Sequence, residues 1–148
     1  MIKNRRAFIV GIKSTTLSKN EKNFLKKYKP WGVILFSRNV KEFKQIKKLI
    51  SDIKLIFKDK KYPILIDQEG GRVNRLNKLI ESSIFTAEYF GNLYKKNKYK
   101  FYNYYKIYIN QISYLLKELG ININTVPVLD VKSSKSSNII GDRSYSSI

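Results

Sequence analysis

The 148-residue chain contains no cysteine and no histidine. Without cysteine it can form neither a disulfide nor a thiolate metal site, and such a composition is typical of a reducing compartment. Without histidine it lacks the most common general base and the usual zinc ligand. The sequence accordingly predicts no metal site and no cofactor.

Long apolar runs are also missing. The chain begins MIKNRRAFIVGIKS, in which the run Ala7–Val10 is interrupted by Gly11 and Lys13. A secretory signal needs about 7–15 apolar residues and a membrane span about 18 or more. We therefore expect a soluble, cytoplasmic protein with no membrane partner.

Negative charge is scarce, since 11 Asp and Glu stand against 30 Lys and Arg, for a net charge of +19. Clustered cations bind nucleic acid by releasing counterions. Here only six of the 30 are arginine, the residue suited to bidentate phosphate contacts, and the lysines are spread along the whole chain. Tyrosines at helical spacing in KYKFYNYYKIY are more often a packing seam than a base-stacking surface. Nucleic-acid binding is thus the weaker alternative to solvated lysine faces.

Apolar periodicity predicts an alternation of strands and helices. Strands are predicted at Phe8–Ile12, Gly32–Phe36, Ile64–Asp67 and, ending at Asp130, within ININTVPVLDV. Helices are predicted between the Ser18 cap and Pro30, over 41–57, and at Tyr105–Leu119, with a long loop containing short helical pieces at Leu76–Tyr99. Strands this apolar are buried on both faces, which favours a parallel sheet with helices outside it. That leaves an open doubly wound sheet or a barrel, and no glycine-rich dinucleotide or Walker motif supports the former.

Polar residues follow the apolar runs at the same end of several strands. Ser37, Arg38 and Asn39 follow the second strand, Asp67 ends the third, and Asp130 ends the fourth. A (β/α) barrel builds its active site at the carboxyl ends of its strands. This regularity favours an enzyme-type site.

Four motifs, PWGVILFSRNV, ILIDQEGGRVNRL, GININTVPVLDV and NIIGDRSYS, resemble in order and spacing the glycoside hydrolase family 3 enzymes of the bacterial β-N-acetylhexosaminidase type. The resemblance runs from about Phe8 to the last residue. It implies an α/β fold, a TIM (β/α)8 barrel, of which residues 1–148 are the N-terminal part with roughly the first four strands. It also implies a cytoplasmic hydrolase of cell-wall recycling that removes terminal N-acetylglucosamine from muropeptides with retention.

The resemblance assigns substrate contacts to Asp67, Arg75 and Arg143. A carboxylate can accept hydrogen bonds from two neighbouring hydroxyls, and a guanidinium grips an oxygen in a fixed fork. Residues expected to shape the site are Glu69, Gly70, Gly71, Arg72 and Asp130. The competing interpretation is a structural clamp, in which Arg72 or Arg75 pairs with Glu69, and Asp142 with Arg143. The role of Asn39 stays open.

The sequence departs from the family in what it does not contain. A TIM barrel has eight strands in about 250 residues, and four strands are recognisable here. No catalytic residue is predicted in this chain, because the nucleophilic aspartate and the family's His-Asp pair are expected beyond Ile148. We expect the isolated chain to be inactive. It would be a truncated or split enzyme, or a non-catalytic N-acetylglucosamine-binding remnant, associating with a missing C-terminal half or with itself through open sheet edges.

Overall fold

The computed structural model describes residues 4–135 and 137–147. Its strands are β1 (Arg6–Gly11), β2 (Pro30–Leu35), β3 (Ile64–Ile66) and β4 (Ile123–Asn124), and its helices are α1 (Lys19–Tyr28), α2 (Phe43–Phe57), α3 (Ala87–Lys96) and α4 (Lys98–Leu119). Single 3₁₀ turns lie at Ser37–Asn39 and Gly141–Arg143. The strands form one sheet in the order β1-β2-β3-β4, and every neighbouring pair is parallel. The predicted parallel α/β arrangement is confirmed.

Local signals define the helix ends as the sequence indicates. Ser18 and Glu21 form a complete capping box at the start of α1. Gly120, with φ of 86°, takes the left-handed conformation that ends α4. Helix α2 buries Ile46, Ile50 and neighbouring apolar side chains at three- and four-residue intervals and leaves three of its four lysines exposed.

Three predicted elements are wrong in extent. Leu76–Tyr99 is not mainly a loop, because it contains the ten-residue helix α3, and α4 begins at Lys98 and not at Tyr105. The fourth strand ends at Asn124 and does not reach Asp130. Thr86 caps α3 by accepting a hydrogen bond from the backbone N–H of Tyr89. The aromatic residues around Thr86 make this cap hard to recognise in the sequence.

Side chains extend the short pairing between β3 and β4. The amide oxygen of Asn122 accepts from the N–H of Ile64 at 2.8 Å, and that of Asn124 accepts from the N–H of Gln68 at 3.0 Å. The Asn124 amide nitrogen also donates to the carbonyl of Gln68 at 3.2 Å. Two asparagines therefore fix the backbone at both ends of β3, including the residue just after Asp67.

The main core lies on one face of the sheet. Val33 and Leu35 of β2, with Ile64 and Ile66 of β3, belong to one buried cluster with side chains of α1, α2 and α4. Alternation puts the residues between them on the other face, where Ile34, Leu65 and Ile123 stand in register. At the β1 edge Ile9 is 45% exposed. This second face is thus apolar and incompletely covered by the described residues.

No helix among the described residues is long and apolar enough to span a lipid bilayer.

Candidate functional site

Asp67 directly follows β3, where its carboxylate is oriented from two sides. Its Oδ1 accepts a hydrogen bond from the hydroxyl of Thr125, which follows β4. Its Oδ2 lies 3.4 Å from Nη2 of Arg75. The side chain remains 26% exposed. Asp67 is therefore held in place and still reachable from solvent.

Arg75 stands against an aromatic ring at the end of β2. The guanidinium carbon of Arg75 is 5.6 Å from the centre of the Phe36 ring, and that of Arg38 is 4.5 Å from the same ring. Arg38 also donates from Nε to the carbonyl of Ile12 at 3.0 Å. In the described structure the buried Nε of Arg75 has no hydrogen-bond partner. The Phe36 ring thus supports an arginine whose hydrogen-bonding capacity is only partly used.

Glu69 and Arg143 form a bidentate ion pair. Nε of Arg143 donates to Oε2 of Glu69 at 2.8 Å and Nη2 donates to Oε1 at 2.7 Å. These hydrogen bonds raise the pKa of Arg143 above its ordinary value against the opposing effect of burial, and the charges of Asp130 and Asp67 act in the same direction. Three carboxylates therefore act electrostatically on one arginine.

A second ion pair crosses between the same two segments. Nε of Arg72 lies 2.8 Å from Oδ1 of Asp142. Nη2 of Arg72 also donates to the backbone carbonyls of Asn138, Ile139 and Ile140. The loop after β3 and the turn Gly141–Arg143 are therefore joined by two ion pairs.

The predicted clamp pairs are wrong, although other ion pairs join the same two motifs. The pairs Arg72–Glu69, Arg75–Glu69 and Asp142–Arg143 do not form. The arginine of each of the two motifs instead reaches the carboxylate of the other motif.

Gly70 and Gly71 have positive φ values of 92° and 56°. A Cβ on Gly70 would lie 2.4 Å from the hydroxyl of Tyr108, and one on Gly71 would lie 2.7 Å from the methyl carbon of Thr86. The glycine pair is therefore required by the turn itself and by the close packing of the segment before α3 and of α4 against it.

The segment carrying Asp130 is held by a buried serine. The Ser144 hydroxyl is within 2.7 Å of the carbonyl of Asp130 and 2.6 Å of that of Ser146, and accepts from the N–H of Lys132 at 3.2 Å. Ser144 is 3% exposed, whereas Asp130 itself is exposed. Asp130 therefore stands near Arg143 as a charge at the surface and not at the end of a strand.

Asn39 has a structural role. It is fully buried, and its amide donates to the carbonyls of Ile12 at 2.9 Å and Ser14 at 2.8 Å while accepting from the N–H of Phe36 at 2.9 Å. All its hydrogen-bonding groups are engaged with backbone. The open question of its role is thereby answered for this structure.

Sequence reasoning missed Gln68 and Thr125. Gln68 is 2% exposed, donates to Asn74 at 2.9 Å and accepts from the N–H of Leu76 at 3.1 Å, so it fixes the loop between Asp67 and Arg75 from within. The strand-end signal that identified Asp67 could not find Thr125, because the apolar pattern places it inside the predicted fourth strand, whereas β4 ends at Asn124.

A cavity of about 320 Å³ opens beside the two ion pairs, between the loop after β3, α4 and the segment after β4. The predicted site residues that line it are Glu69, Gly70, Gly71, Arg72 and Arg143. Asp67, Arg75 and Asp130 are not among its lining residues. Among the described residues no cluster of three or more carboxylates could hold a metal ion.

The family model described as the glycosyl hydrolase family 3 N-terminal domain matches residues 6–148. The chain belongs to glycoside hydrolase family 3. The predicted family is confirmed, and the match covers the N-terminal part that the motifs indicated.

Curated relatives include beta-hexosaminidase A of Pseudoalteromonas piscicida, 32% identical over 140 residues that make up 89% of this family 3 chain and 22% of the relative. The beta-hexosaminidase of Thioalkalivibrio sulfidiphilus is 27% identical over 137 residues, 93% of this chain and 39% of the relative. Native NagZ of Neisseria gonorrhoeae has a TM-score of 0.78 and 26% identity, covering 96% of this chain and 41% of that one. Its complex with N-trifluoroacetyl-D-glucosamine also has a TM-score of 0.78 and 26% identity, with 96% and 42% covered. The chain spans less than half the length of these relatives.

Proposed function

We propose that the chain supplies the sugar-binding half of a β-N-acetylhexosaminidase that releases terminal N-acetylglucosamine from muropeptides, in the cytoplasm, during cell-wall recycling. In this proposal Asp67, Arg75 and Arg143 contact the sugar, and Glu69, Gly70, Gly71, Arg72 and Asp130 shape the site. The beta-hexosaminidase relatives and the glucosamine derivative bound to the gonococcal NagZ support an amino sugar as the ligand.

The oriented carboxylate of Asp67 is the observation that carries the proposal. Thr125 and Arg75 fix its two oxygens, yet a quarter of the side chain is open to solvent. A fixed carboxylate accepts hydrogen bonds from neighbouring hydroxyls without having to be immobilised on binding, and charged acceptors give the stronger bonds. Arg75 lies next to it, with 29% of its side chain exposed to solvent.

The incompletely covered face of the sheet supports a barrel as the complete domain. Helices cover one face, while Ile34, Leu65 and Ile123 lie on the other. In a (β/α)8 barrel the inner strand face packs against side chains of the remaining strands. Residues 1–148 would then be one part of a single catalytic domain, completed by its C-terminal half.

We expect catalysis to require groups outside residues 1–148. Retaining hydrolysis uses two positioned groups about 5 Å apart, one as nucleophile and one moving the proton. Here the carboxylates of Asp67, Glu69 and Asp142 are each engaged with an arginine, and the chain has no histidine. We expect these residues to bind the sugar and the rest of the domain to cut it.

The test is a titration of the chain with N-acetylglucosamine, followed by NMR, for the wild type and Asp67→Asn. Losing a charged acceptor of the sugar should weaken binding by roughly 10- to 100-fold. The matched control is Asp52→Asn, which removes a partly exposed helix carboxylate paired with Lys48. Equal affinity of Asp67→Asn and the control would contradict the proposed contact.

The same preparation tests the absence of catalysis. Release of p-nitrophenol from its N-acetylglucosaminide should stay at the rate without protein. Turnover by the purified chain that disappears in Asp67→Asn would show that residues 1–148 are catalytic themselves.

A further inference from the structure

The two partners of the Glu69–Arg143 ion pair are held by the same pair of helices. Tyr108 of α4 donates from its hydroxyl to the backbone carbonyl of Glu69 at 3.3 Å. Two residues after Arg143, the hydroxyl of Tyr145 lies 2.9 Å from the hydroxyl of Tyr105, also on α4. The backbones on both sides of the ion pair are therefore anchored to one helix face.

Phe90 of α3 connects these anchors. It is 1% exposed, and its ring centre lies 4.8 Å from that of Tyr105 and 5.2 Å from that of Tyr108. Aromatic pairs at such distances are favourable beyond the area they bury. The helix pair α3–α4 thus behaves as one support for both anchoring tyrosines.

Gly91 follows Phe90 and lies against the backbone of the segment after Arg143. A Cβ on Gly91 would lie 1.8 Å from the carbonyl oxygen of Tyr145 and 2.8 Å from its carbonyl carbon. These are backbone atoms, so no side-chain rotation can make room for a methyl group. Any larger residue must push the segment of Tyr145 away from α3.

A glycine inside a helix destabilises it by comparison with alanine. Gly91 has no positive φ that would require glycine, since it lies within α3. The close approach of Tyr145 is the feature that explains it. The contact therefore holds the backbone two residues after Arg143 against α3.

We infer that Gly91 is a positioning residue that sets the reach of Arg143 toward the sugar site. Because Gly91 has no side chain, the Tyr145 backbone can pack directly on α3. This packing places Arg143 where its Nε and Nη2 donate to Glu69. The effect on sugar binding rests on the proposed function, whereas the effect on the ion pair does not.

The first test follows the Nε–H of Arg143 by NMR, with Arg143→Lys identifying the signal. Hydrogen bonding to Glu69 should slow its exchange with water in the wild type. Gly91→Ala should speed this exchange by on the order of tenfold, because displacing a few tenths of an ångström or more breaks a bidentate geometry. The control Asn92→Ala changes the exposed neighbour on α3 and should leave exchange unchanged.

The second test is a double-mutant cycle on N-acetylglucosamine affinity. Gly91→Ala should weaken binding on the order of tenfold when Arg143 is present and not measurably in an Arg143→Ala background. The effects of two substitutions do not add when one residue acts through the other. A merely structural role would lower stability and leave the affinity of the folded fraction intact. Equal losses in both backgrounds would overturn the inference.

A further variant keeps the inference testable if Gly91→Ala does not fold. Tyr105→Phe removes the hydroxyl partner of Tyr145 without a steric change and should also speed exchange of the Arg143 Nε–H. Tyr104→Phe, on the exposed side of α4, is its control. If the wild type binds no sugar, the proposed function fails. The exchange rate of the Arg143 Nε–H then decides the role of Gly91 alone, and an unchanged rate in the variant that folds overturns that role.

Discussion

Two uncharged amides, Asn39 and Gln68, hold the loops that follow β2 and β3, while the charged residues lie around them at partial exposure. Asn39 and Gln68 are 0% and 2% exposed, whereas Arg75 and Asp67 keep more than a quarter of their side chains in solvent. A buried neutral amide costs less desolvation than a buried charge, provided its groups are bonded. The neutral residues can therefore form the interior of the loops, and the charges remain free to meet a ligand.

Asn39→Ala should destabilise the fold strongly for a single polar substitution. It removes three hydrogen bonds, to the carbonyls of Ile12 and Ser14 and from the N–H of Phe36, and each polar group left unpaired away from water costs about 1–3 kcal/mol. We expect the free energy of unfolding in urea to fall by about 2–3 kcal/mol with an unchanged denaturant slope.

The matched control for this change is Asn77→Ala, which removes an exposed amide from the loop after Leu76. It should alter stability by less than about 0.5 kcal/mol. If both variants unfold at the same urea concentration, water replaces the lost bonds at Asn39 and its assigned structural role is wrong.

At the scale of elements, apolar periodicity predicted what depends on local sequence. Helix α2 shows a regular apolar face, and the parallel order of strands followed from their continuous apolar runs. Helix α3 escaped because few of its residues are buried, only Phe90 and Gly91, and the packing that stabilises it comes from distant aromatic residues. The fourth strand was predicted too long, because the length of a strand depends on having a neighbouring strand to pair with. Apolar periodicity does not indicate such a neighbour.

The sequence proposed residues for the candidate site, but it did not indicate which of them pair with one another. The strand-end signal identified Asp67, and the motifs identified the arginines. Which arginine meets which carboxylate depends on the relative placement of segments about 70 residues apart, and three arginines among four carboxylates allow many pairings. The contact of Gly91 with Tyr145 is equally non-local, so no spacing in the sequence reveals it.

The start of α1 contains a titratable capping contact. Burial opposes ionisation of Glu21, but N–H groups of Lys13 and Ser18, each 2.9 Å from its carboxylate, outweigh it and hold the pKa of Glu21 below its usual value of 4.5. A carboxyl whose folded pKa is lowered contributes stability above its unfolded pKa and loses that contribution as pH falls through the folded value.

Glu21→Gln should therefore be less stable than the wild type at pH 7, by roughly 0.5–1 kcal/mol because the carboxylate is partly exposed. The difference should shrink as pH drops below about 4.5. Urea midpoints at pH 7 and pH 3 measure it, with Glu42→Gln as the control, since Glu42 precedes α2 without a side-chain capping bond. A difference that stays constant with pH would show that the carboxylate charge is not involved.

At the scale of the whole molecule, an apolar sheet face and a high net charge have opposing effects on association. Ile9 on β1 and Leu129 after β4 are 45% and 85% exposed. Burial of such surface favours association, while a net charge of +19 makes copies of the chain repel. Salt screens this repulsion, because the Debye length falls from about 30 Å at 0.01 M to about 3 Å at 1 M.

Self-association of the chain should accordingly increase with salt, from monomer near 0.01 M to higher oligomers near 1 M in sedimentation velocity. Ile9→Lys should suppress the oligomers, and Leu55→Lys, on the outer side of α2 at 69% exposure, should not. Binding to an oligonucleotide would respond in the opposite direction, because phosphate contacts weaken steeply as salt rises. A complex with nucleic acid that persists in 1 M salt would contradict the interpretation of the lysines as solvated charge. Oligomers that dissociate in 1 M salt would contradict association through the open sheet face.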